Sequence, residues 1–480
     1  MTSSRPSHPR TLGAGLLAVL LSGCATLGPD YVAPAQPAPT AWHANPVSAA
    51  ATDSASIARW WQALGDAELS ALVEQALRRN PDLQSSRAAL RAARALERVA
   101  RAGQGPNVGA SGATSASRSG DAAVSESWRA GVDASWELDV FGGTRRGVEA
   151  AQADREAVSA TLASTQASLA AEVALNYVTL RTSQARLEIA RRNLATQLET
   201  LQLTDWRAQA GLASSVDVEQ ARTNAEQTRA QIPSLQTSIA QAANHLAVLT
   251  GEAPGRLQAS LAEGTLPALP TAIAVGIPAE VLRQRPDVQS AERQLAAETA
   301  RIGVAEAARY PGFSLSGSIG LEAATLGALG NGASVIRSLA AGISGVLFDG
   351  GALAARVDQQ DAVREQRLHS YRSTVLAALE DVENALTALD NTARRREALA
   401  AASTAARNAN LLAADRYRSG LIDFRTVLET ERSLLSTEDS LASAEGERLN
   451  AVIQLYKALG GGWSRADLTE SADTPQGNPS

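Results

Sequence analysis

Asn80-Pro81-Asp82-Leu83-Gln84-Ser85 returns further along the chain as Arg285-Pro286-Asp287-Val288-Gln289-Ser290. Both prolines suit the first turn of a helix, where the missing N–H has no partner to lose and φ is already set. Outward from this pair other landmarks repeat. Phe141-Gly142-Gly143 answers to Phe348-Asp349-Gly350-Gly351, Ala210-Gly211-Leu212 to Ser419-Gly420-Leu421, and Leu249-Thr250-Gly251 to Leu459-Gly460-Gly461. The offset drifts only from 205, between Pro81 and Pro286, to 210, between Leu249 and Leu459. That interval is far longer than a solenoid repeat. It marks a duplicated chain, with a first repeat over 59–251, a proline- and glycine-rich linker over 252–278 and a second repeat over 279–463.

Each repeat carries the same order of elements. A helix leads into the Pro-Asp step and a second helix follows. Then come two strands, a very long helix, a tight Gly-Leu turn and a returning helix. Trp128, Ala130, Val132, Ala134, Trp136 and Leu138 alternate with polar or small residues, and so do Phe313, Leu315, Gly317, Ile319 and Leu321. Period two with one apolar face is the signature of a half-buried strand. The spacing predicts strands at about 106–116 and 127–139, then at about 312–322 and 335–347. Val158, Leu162, Thr165, Leu169, Val173, Tyr177 and Leu180 recur at helical spacing, with Leu187, Leu194, Leu198 and Leu201 extending the stripe. Leu368, Tyr371, Val375, Leu379, Val382, Leu386 and Leu389 do the same in the second repeat. Long helices are predicted over 143–210 and 352–419, each about 100 Å at ~1.5 Å per residue. The returning helices are expected over 214–250 and 423–459, with Gly211 and Gly420 supplying left-handed geometry at the turns.

Composition excludes several chemistries. Hydrophobic residues make up 45% of the 480 and aromatics only 4%, which favours closely packed helices over one thick core. A formal net charge of −6 gives no electrostatic reason to expect a nucleic-acid partner. The single cysteine, Cys24, allows no internal disulfide. His8, His43, His245 and His369 are scattered, without ligand spacing. The lone lysine, Lys457, follows no glycine-rich loop, and Gly103-Gln104-Gly105 is broken by Pro106 before it can make a dinucleotide loop. Asp and Glu are expected along exposed helix faces, and no nucleophile, base and third group stand together. No catalytic residue, cofactor or metal site is expected.

The N-terminus reads as a targeting segment. Arg5 and Arg10 precede a short apolar run from Leu12 to Leu21, and Leu21-Ser22-Gly23-Cys24 closes it with small residues. This resembles a bacterial lipobox. The resemblance implies a signal peptide over 1–23, an acylated (palmitate-bearing) Cys24 as the mature N-terminus and, with Ala25 rather than aspartate next, delivery to the outer membrane. Residues 24–58, rich in proline, read as an extended tether. Residues 464–480 read as a disordered tail.

Four strands per chain cannot enclose an interior, yet their two faces demand different surroundings. In lipid an unpaired edge is costly, so a spanning sheet must close, and a ring of identical chains closes it with the fewest parts. Three chains would supply roughly 12 strands, within the barrel range.

Beyond these patterns the chain resembles the TolC-like outer-membrane efflux channels, in particular their lipoprotein branch. The likeness rests on Leu21-Ser22-Gly23-Cys24 with Gly28-Pro29-Asp30-Tyr31, Trp60-Trp61, Asn80-Pro81-Asp82-Leu83 and Ser135-Trp136-Glu137-Leu138-Asp139-Val140-Phe141-Gly142. It continues in Ala210-Gly211-Leu212-Ala213-Ser214-Ser215-Val216-Asp217, Leu282-Arg283-Gln284-Arg285-Pro286-Asp287-Val288 and Arg416-Tyr417-Arg418-Ser419-Gly420. The resemblance implies a mainly α fold with a transmembrane β-barrel. Three chains would form a barrel of 12 strands continuing into a periplasmic barrel of 12 helices. It also implies a passive exit duct, partnered by a periplasmic adaptor and an inner-membrane proton-driven pump. Its gate would lie in Phe424-Arg425-Thr426-Val427-Leu428-Glu429, with Arg425 and Glu429 one helical turn apart and Asp423 and Asp217 beside the turns. A periplasmic coiled-coil adaptor or scaffold lipoprotein is the alternative. Trp128 and Trp136 are expected to face lipid. Tyr177 and Tyr371 are expected to be packing residues, and His245 and His369 to be solvated or packed.

Overall fold

The computed structural model describes residues 26–35, 39–44, 57–270, 275 and 278–464. The expected signal peptide, Cys24, part of the tether and the tail beyond 464 lie outside them. The helices are α1 (Ala67–Arg79), α2 (Pro81–Ala102), α3 (Gly143–Gln209), α4 (Ser215–Leu249), α5 (Pro278–Gln284), α6 (Pro286–Ala307), α7 (Ala352–Arg418) and α8 (Phe424–Ala458). The strands are β1 (Asn107–Ser117), β2 (Ser125–Leu138), β3 (Gly312–Ala323) and β4 (Val335–Ser344). Two compact units emerge, one from 1–35, 89–159 and 290–373, the other from 36–88, 160–289 and 374–480. Each draws on both sequence repeats, so the repeats are not the compact units.

The first unit holds one antiparallel sheet in the order β1-β2-β3-β4. Register brings the alternating sequences onto common faces. Trp128 stands opposite Ala323, Val132 opposite Ile319, and Trp136 opposite Leu315. Val108 joins them through Ala134, and Leu339 through Gly317. This apolar face is open: Val108, Val132, Ile319, Leu339 and Ile343 are all exposed. The opposite face is small and polar. On it Ser111 donates to Asp133 at 2.7 Å, Ser318 and Ser338 share a hydrogen bond of 2.7 Å, and Arg129 meets Glu322 at 2.8 Å. Gly131 and Gly320 face each other there, and a Cβ on Gly320 would lie 2.7 Å from the carbonyl oxygen of Ala130. Only glycine permits that approach. The outer edges of β1 and β4 have no strand partner among the described residues.

Asp139 and Asp349 start the long helices in parallel fashion. The Asp139 carboxylate accepts from the N–H groups of Thr144 and Arg145, and that of Asp349 from Gly351 and Leu353. In the same unit Arg146 is buried. It donates to the carbonyls of Leu27 and Gly28 and to Asp30, which holds the described N-terminal segment in place.

In the second unit the Pro-Asp landmarks become joints. Asn80 ends α1 and begins α2: its Oδ1 accepts from Leu83 N–H at 3.0 Å, while its Nδ2 donates to the carbonyl of Leu249 at 3.0 Å, the last residue of α4. Arg285 does the matching work in the second repeat. Its guanidinium donates to the carbonyl of Ala458, the last residue of α8, at 3.0 Å, and pairs with Asp287 and Asp381. Trp60 is fully buried and stacks on Tyr456 with ring centroids 5.4 Å apart.

The expected apolar stripe of α3 holds from Leu162 to Leu187 and then gives way. Leu198 is exposed, and Asn193, Gln197 and Thr204 are the buried residues instead. Tyr177 is more than a packing residue, since its hydroxyl donates to Asp66 at 2.9 Å. The expectation that carboxylates lie on exposed faces is corrected too: Glu431 and Glu438 are buried.

Asn80→Ala should destabilise the protein by about 1–3 kcal/mol, because it removes a helix cap and leaves a buried carbonyl unpaired. Asn80→Ser keeps a neutral cap acceptor and loses the reach to Leu249, so its melting midpoint should fall between wild type and Asn80→Ala.

Candidate functional site

The two helix turns and the first turns of α4 and α8 form one cluster within the second unit. Each long helix ends on a glycine with φ of 72°. The next N–H then closes back onto the helix, Leu212 to the carbonyl of Arg207 at 2.7 Å and Leu421 to that of Arg416 at 2.8 Å. This is the left-handed helix end that Gly211 and Gly420 were expected to make. Leu212 and Leu421 remain exposed at the turns.

Capping residues restart the chain. Ser214 accepts from Asp217 N–H, and the Asp217 carboxylate accepts in return from Ser214 N–H at 3.0 Å, a reciprocal capping box. Asp423 caps α8, accepting from the N–H of Thr426 at 3.0 Å and from its hydroxyl at 2.7 Å. These bonds hold the Asp423 carboxyl below the ordinary carboxylate range. Arg425 and Glu429 pair along α8, Nε to Oε1 at 3.0 Å, and both are exposed.

The turns are joined by apolar and cationic contacts. Tyr417, Phe424, Val427 and Leu428 are buried with Ala221 and Ala413. The Arg207 guanidinium lies 4.3 Å from the Tyr417 ring centroid and donates to the carbonyl of Arg418 at 2.9 Å. Arg207 lies in the last turn of α3 and Arg418 ends α7, so this bond ties the two repeats together.

Below the turns is a buried carboxylate. Glu431 is 4% exposed, accepts from the Thr200 hydroxyl on α3 at 2.7 Å and from Asn224 Nδ2 on α4 at 3.2 Å, and forms no ion pair among the described residues. Arg432, next to it, donates instead to Asn224 Oδ1 at 3.1 Å. Burial pushes the Glu431 carboxyl up, and the Thr200 and Asn224 bonds oppose that rise. One heptad further along α8, Glu438 accepts from Asn193 at 3.3 Å and from Arg407 at 2.7 Å. Thr200 and Asn193 are also one heptad apart, so two rungs of a polar ladder cross the pair α3–α8. The heptad spacing was present in the sequence, but only packing shows which face it lies on.

The residues matched by the family model for outer membrane efflux proteins are 72–252 and 277–461, one stretch in each repeat. The chain belongs to the outer membrane efflux protein family. The solvent efflux pump outer membrane protein SrpC of Pseudomonas putida is 32% identical over 94% of this chain and 98% of its own length. Nodulation protein T of Rhizobium leguminosarum bv. trifolii is 33% identical over 86% of this chain and 89% of its own. The solved outer-membrane channel OprN superposes with a TM-score of 0.86 at 38% identity, covering 92% of this chain and all of OprN. The fold is thus that of TolC-like outer-membrane channels, and the protein is an efflux channel rather than an adaptor.

Glu431→Gln tests the buried carboxylate. Because burial raises the folded-state value, ionisation disfavours the folded protein. Stability is therefore greatest while the carboxyl is protonated, and it falls as pH rises from the ordinary carboxylate range through the raised value. The melting midpoint of Glu431→Gln relative to wild type should climb as pH rises above the ordinary carboxylate range. A constant difference across that rise would refute the assignment.

Proposed function

We propose that three copies of this chain close a barrel of roughly 12 strands in the outer membrane, continued by a ring of helices into the periplasm. The protein then serves as the passive exit duct of a tripartite exporter. A periplasmic adaptor and an inner-membrane proton-driven pump are its partners. Acylated Cys24 anchors each copy to outer-membrane lipid. Relatives are named for solvent and antibiotic efflux, and small organic molecules are the cargo class this reading assigns here.

One observation carries the proposal: a sheet with an exposed apolar face, a polar face of small residues and two unpaired edges. Water would leave the apolar face uncovered, and lipid would leave the edges unpaired at a cost of several kcal/mol per group. A closed ring in lipid answers both demands. Trp128 and Trp136 lie on the lipid-compatible face, and at ~3.4 Å per residue they stand about 27 Å apart along β2, close to the height of an outer-membrane apolar band.

The duplication gives the register of the seam. Asn107 pairs with Ser135 as Gly312 pairs with Ser344. Asn107 follows α2 at the interval by which Gly312 follows α6, and Ser135 precedes α3 as Ser344 precedes α7. β1 is therefore the counterpart of β3, and β2 of β4. Moving the pairing of β2 with β3 onto the seam sets β4 of one copy against β1 of the next. Leu339 then meets Ala116, in place of Ala130 with Leu321, and Leu347 meets Val108, in place of Leu138 with Phe313. Leu347 and Val108 are both exposed in the single chain.

At the periplasmic end, Arg425 and Glu429 form the charged ring of the gate. Asp217 and Asp423 serve it by holding the turns through their capping bonds. The Arg425–Glu429 pair, exposed just inside the turn of α8, supports this role.

Paired substitutions Leu339→Cys and Ala116→Cys should yield covalent trimers with a short thiol cross-linker in outer membranes, and either alone should yield monomers on denaturation. Absence of a covalent ladder in the double variant would count against the ring. Arg425→Ala with Glu429→Ala should raise single-channel conductance in planar bilayers; unchanged conductance would remove the pair from the gate.

A further inference from the structure

On the apolar face of the sheet one strongly basic side chain is out of place. Arg337 stands opposite Ile319 in β4, between Val335 and Leu339 on the same face. It is exposed and makes no hydrogen bond or ion pair among the described residues. An arginine facing hydrocarbon at the bilayer midplane costs ~2–4 kcal/mol, and near an interface ~0–1. Its height therefore matters, and the duplication supplies it. Arg337 is the counterpart of Trp128, the outer tryptophan of β2. Both lie toward the hairpin ends of the strands, away from the ends that join helices. Counterparts around a closed ring share a height, so Arg337 belongs at the level of the outer aromatic girdle, where headgroups begin.

The seam register then brings a second cation to it. Where Trp128 meets Ala323 inside the chain, Arg337 of one copy meets Arg118 of the next. Arg118 is exposed just beyond β1, and it too makes no hydrogen bond or ion pair among the described residues. Like charges directly opposite across strands are destabilising. Two carboxylates belong to the same hairpin: Glu126 of the next copy faces Ala116 and lies diagonal to Arg118, and Asp121 stands in the turn after Arg118; neither pairs with it among the described residues. Neither guanidinium is paired among the described residues of its own chain, so both forks stay open to a shared anion.

We propose that Arg337 and Arg118 of the adjoining copy form an anion site at each seam, which takes the phosphate of an outer-leaflet lipid headgroup. Guanidinium forks match phosphate oxygens in pairs, and their alkyl stems lie along apolar surface while the charged ends reach the interface. Three such sites would ring the barrel, each made only when two copies meet. This inference rests on the proposed trimer.

Purified full-length protein in neutral detergent is the material for the test, with heat resistance of the trimer in denaturing gels as the readout. Added phosphorylated lipid A should raise the trimer dissociation temperature, and phosphatidylcholine should not. Binding of lipid A, followed by native mass spectrometry, should weaken on the order of tenfold in Arg337→Ala and in Arg118→Ala. Arg337→Glu should form an ion pair with Arg118 across the seam and give heat-resistant trimers without added lipid. Equal stabilisation by inorganic phosphate at matched concentration would overturn the lipid assignment. An unchanged lipid A response in the double alanine variant would overturn the site. Failure of every protein, wild type included, to form trimers would instead strike at the ring itself.

Discussion

A sheet edge left unpaired in hydrocarbon is the constraint on which the rest of this structure depends. Four strands with two faces of opposite character end in two edges left open among the described residues, and so few strands cannot close on themselves around an interior. Water penalises the apolar face and lipid penalises those edges. In the proposed ring the duplication would meet both demands, with the contact between β2 and β3 inside the chain serving as a template for the contact between β4 and β1 across copies.

The helical part obeys a different economy. Alanines line much of the buried face of α3, among them Ala150, Ala153, Ala157 and Ala160, so helices can approach closely without large side chains. Toward the turns this apolar seam becomes polar. Glu431 and Glu438 reach across to Thr200 and Asn193 on α3, and Glu431 also to Asn224 on α4. Buried polar contacts add little net stability, yet each is costly when half broken. They specify register where small residues alone would let helices slide. The Arg207 contacts with Tyr417 and Arg418 do the same between the repeats.

Legibility differed by feature. Alternation around Trp128–Leu138 and Phe313–Leu321 placed two strands directly, since period two survives any surroundings. β1 and β4 were harder to read, because Gly, Ala and Ser in β1 carry almost no hydropathy signal. Gly211 and Gly420 were readable as turns through their backbone freedom. Asp423 and Asp217, expected beside the turns, proved to be a cap of α8 and the partner of Ser214 in a capping box. Glu431 went unread, because a lone glutamate in a polar helix is indistinguishable from its solvated neighbours until the facing helices are known. Arg337 was hidden for the mirror reason: only register shows that it shares a face with Val132 and Leu339.

By itself the sequence determined the duplication, the order of elements and the turns, since these depend on local periodicity and backbone preference. Only the tertiary structure decided which strands are neighbours, that the two compact units each borrow from both repeats, and which carboxylates are buried. Those outcomes depend on side chains far apart in the chain competing for the same desolvated space, and no local pattern encodes the winner.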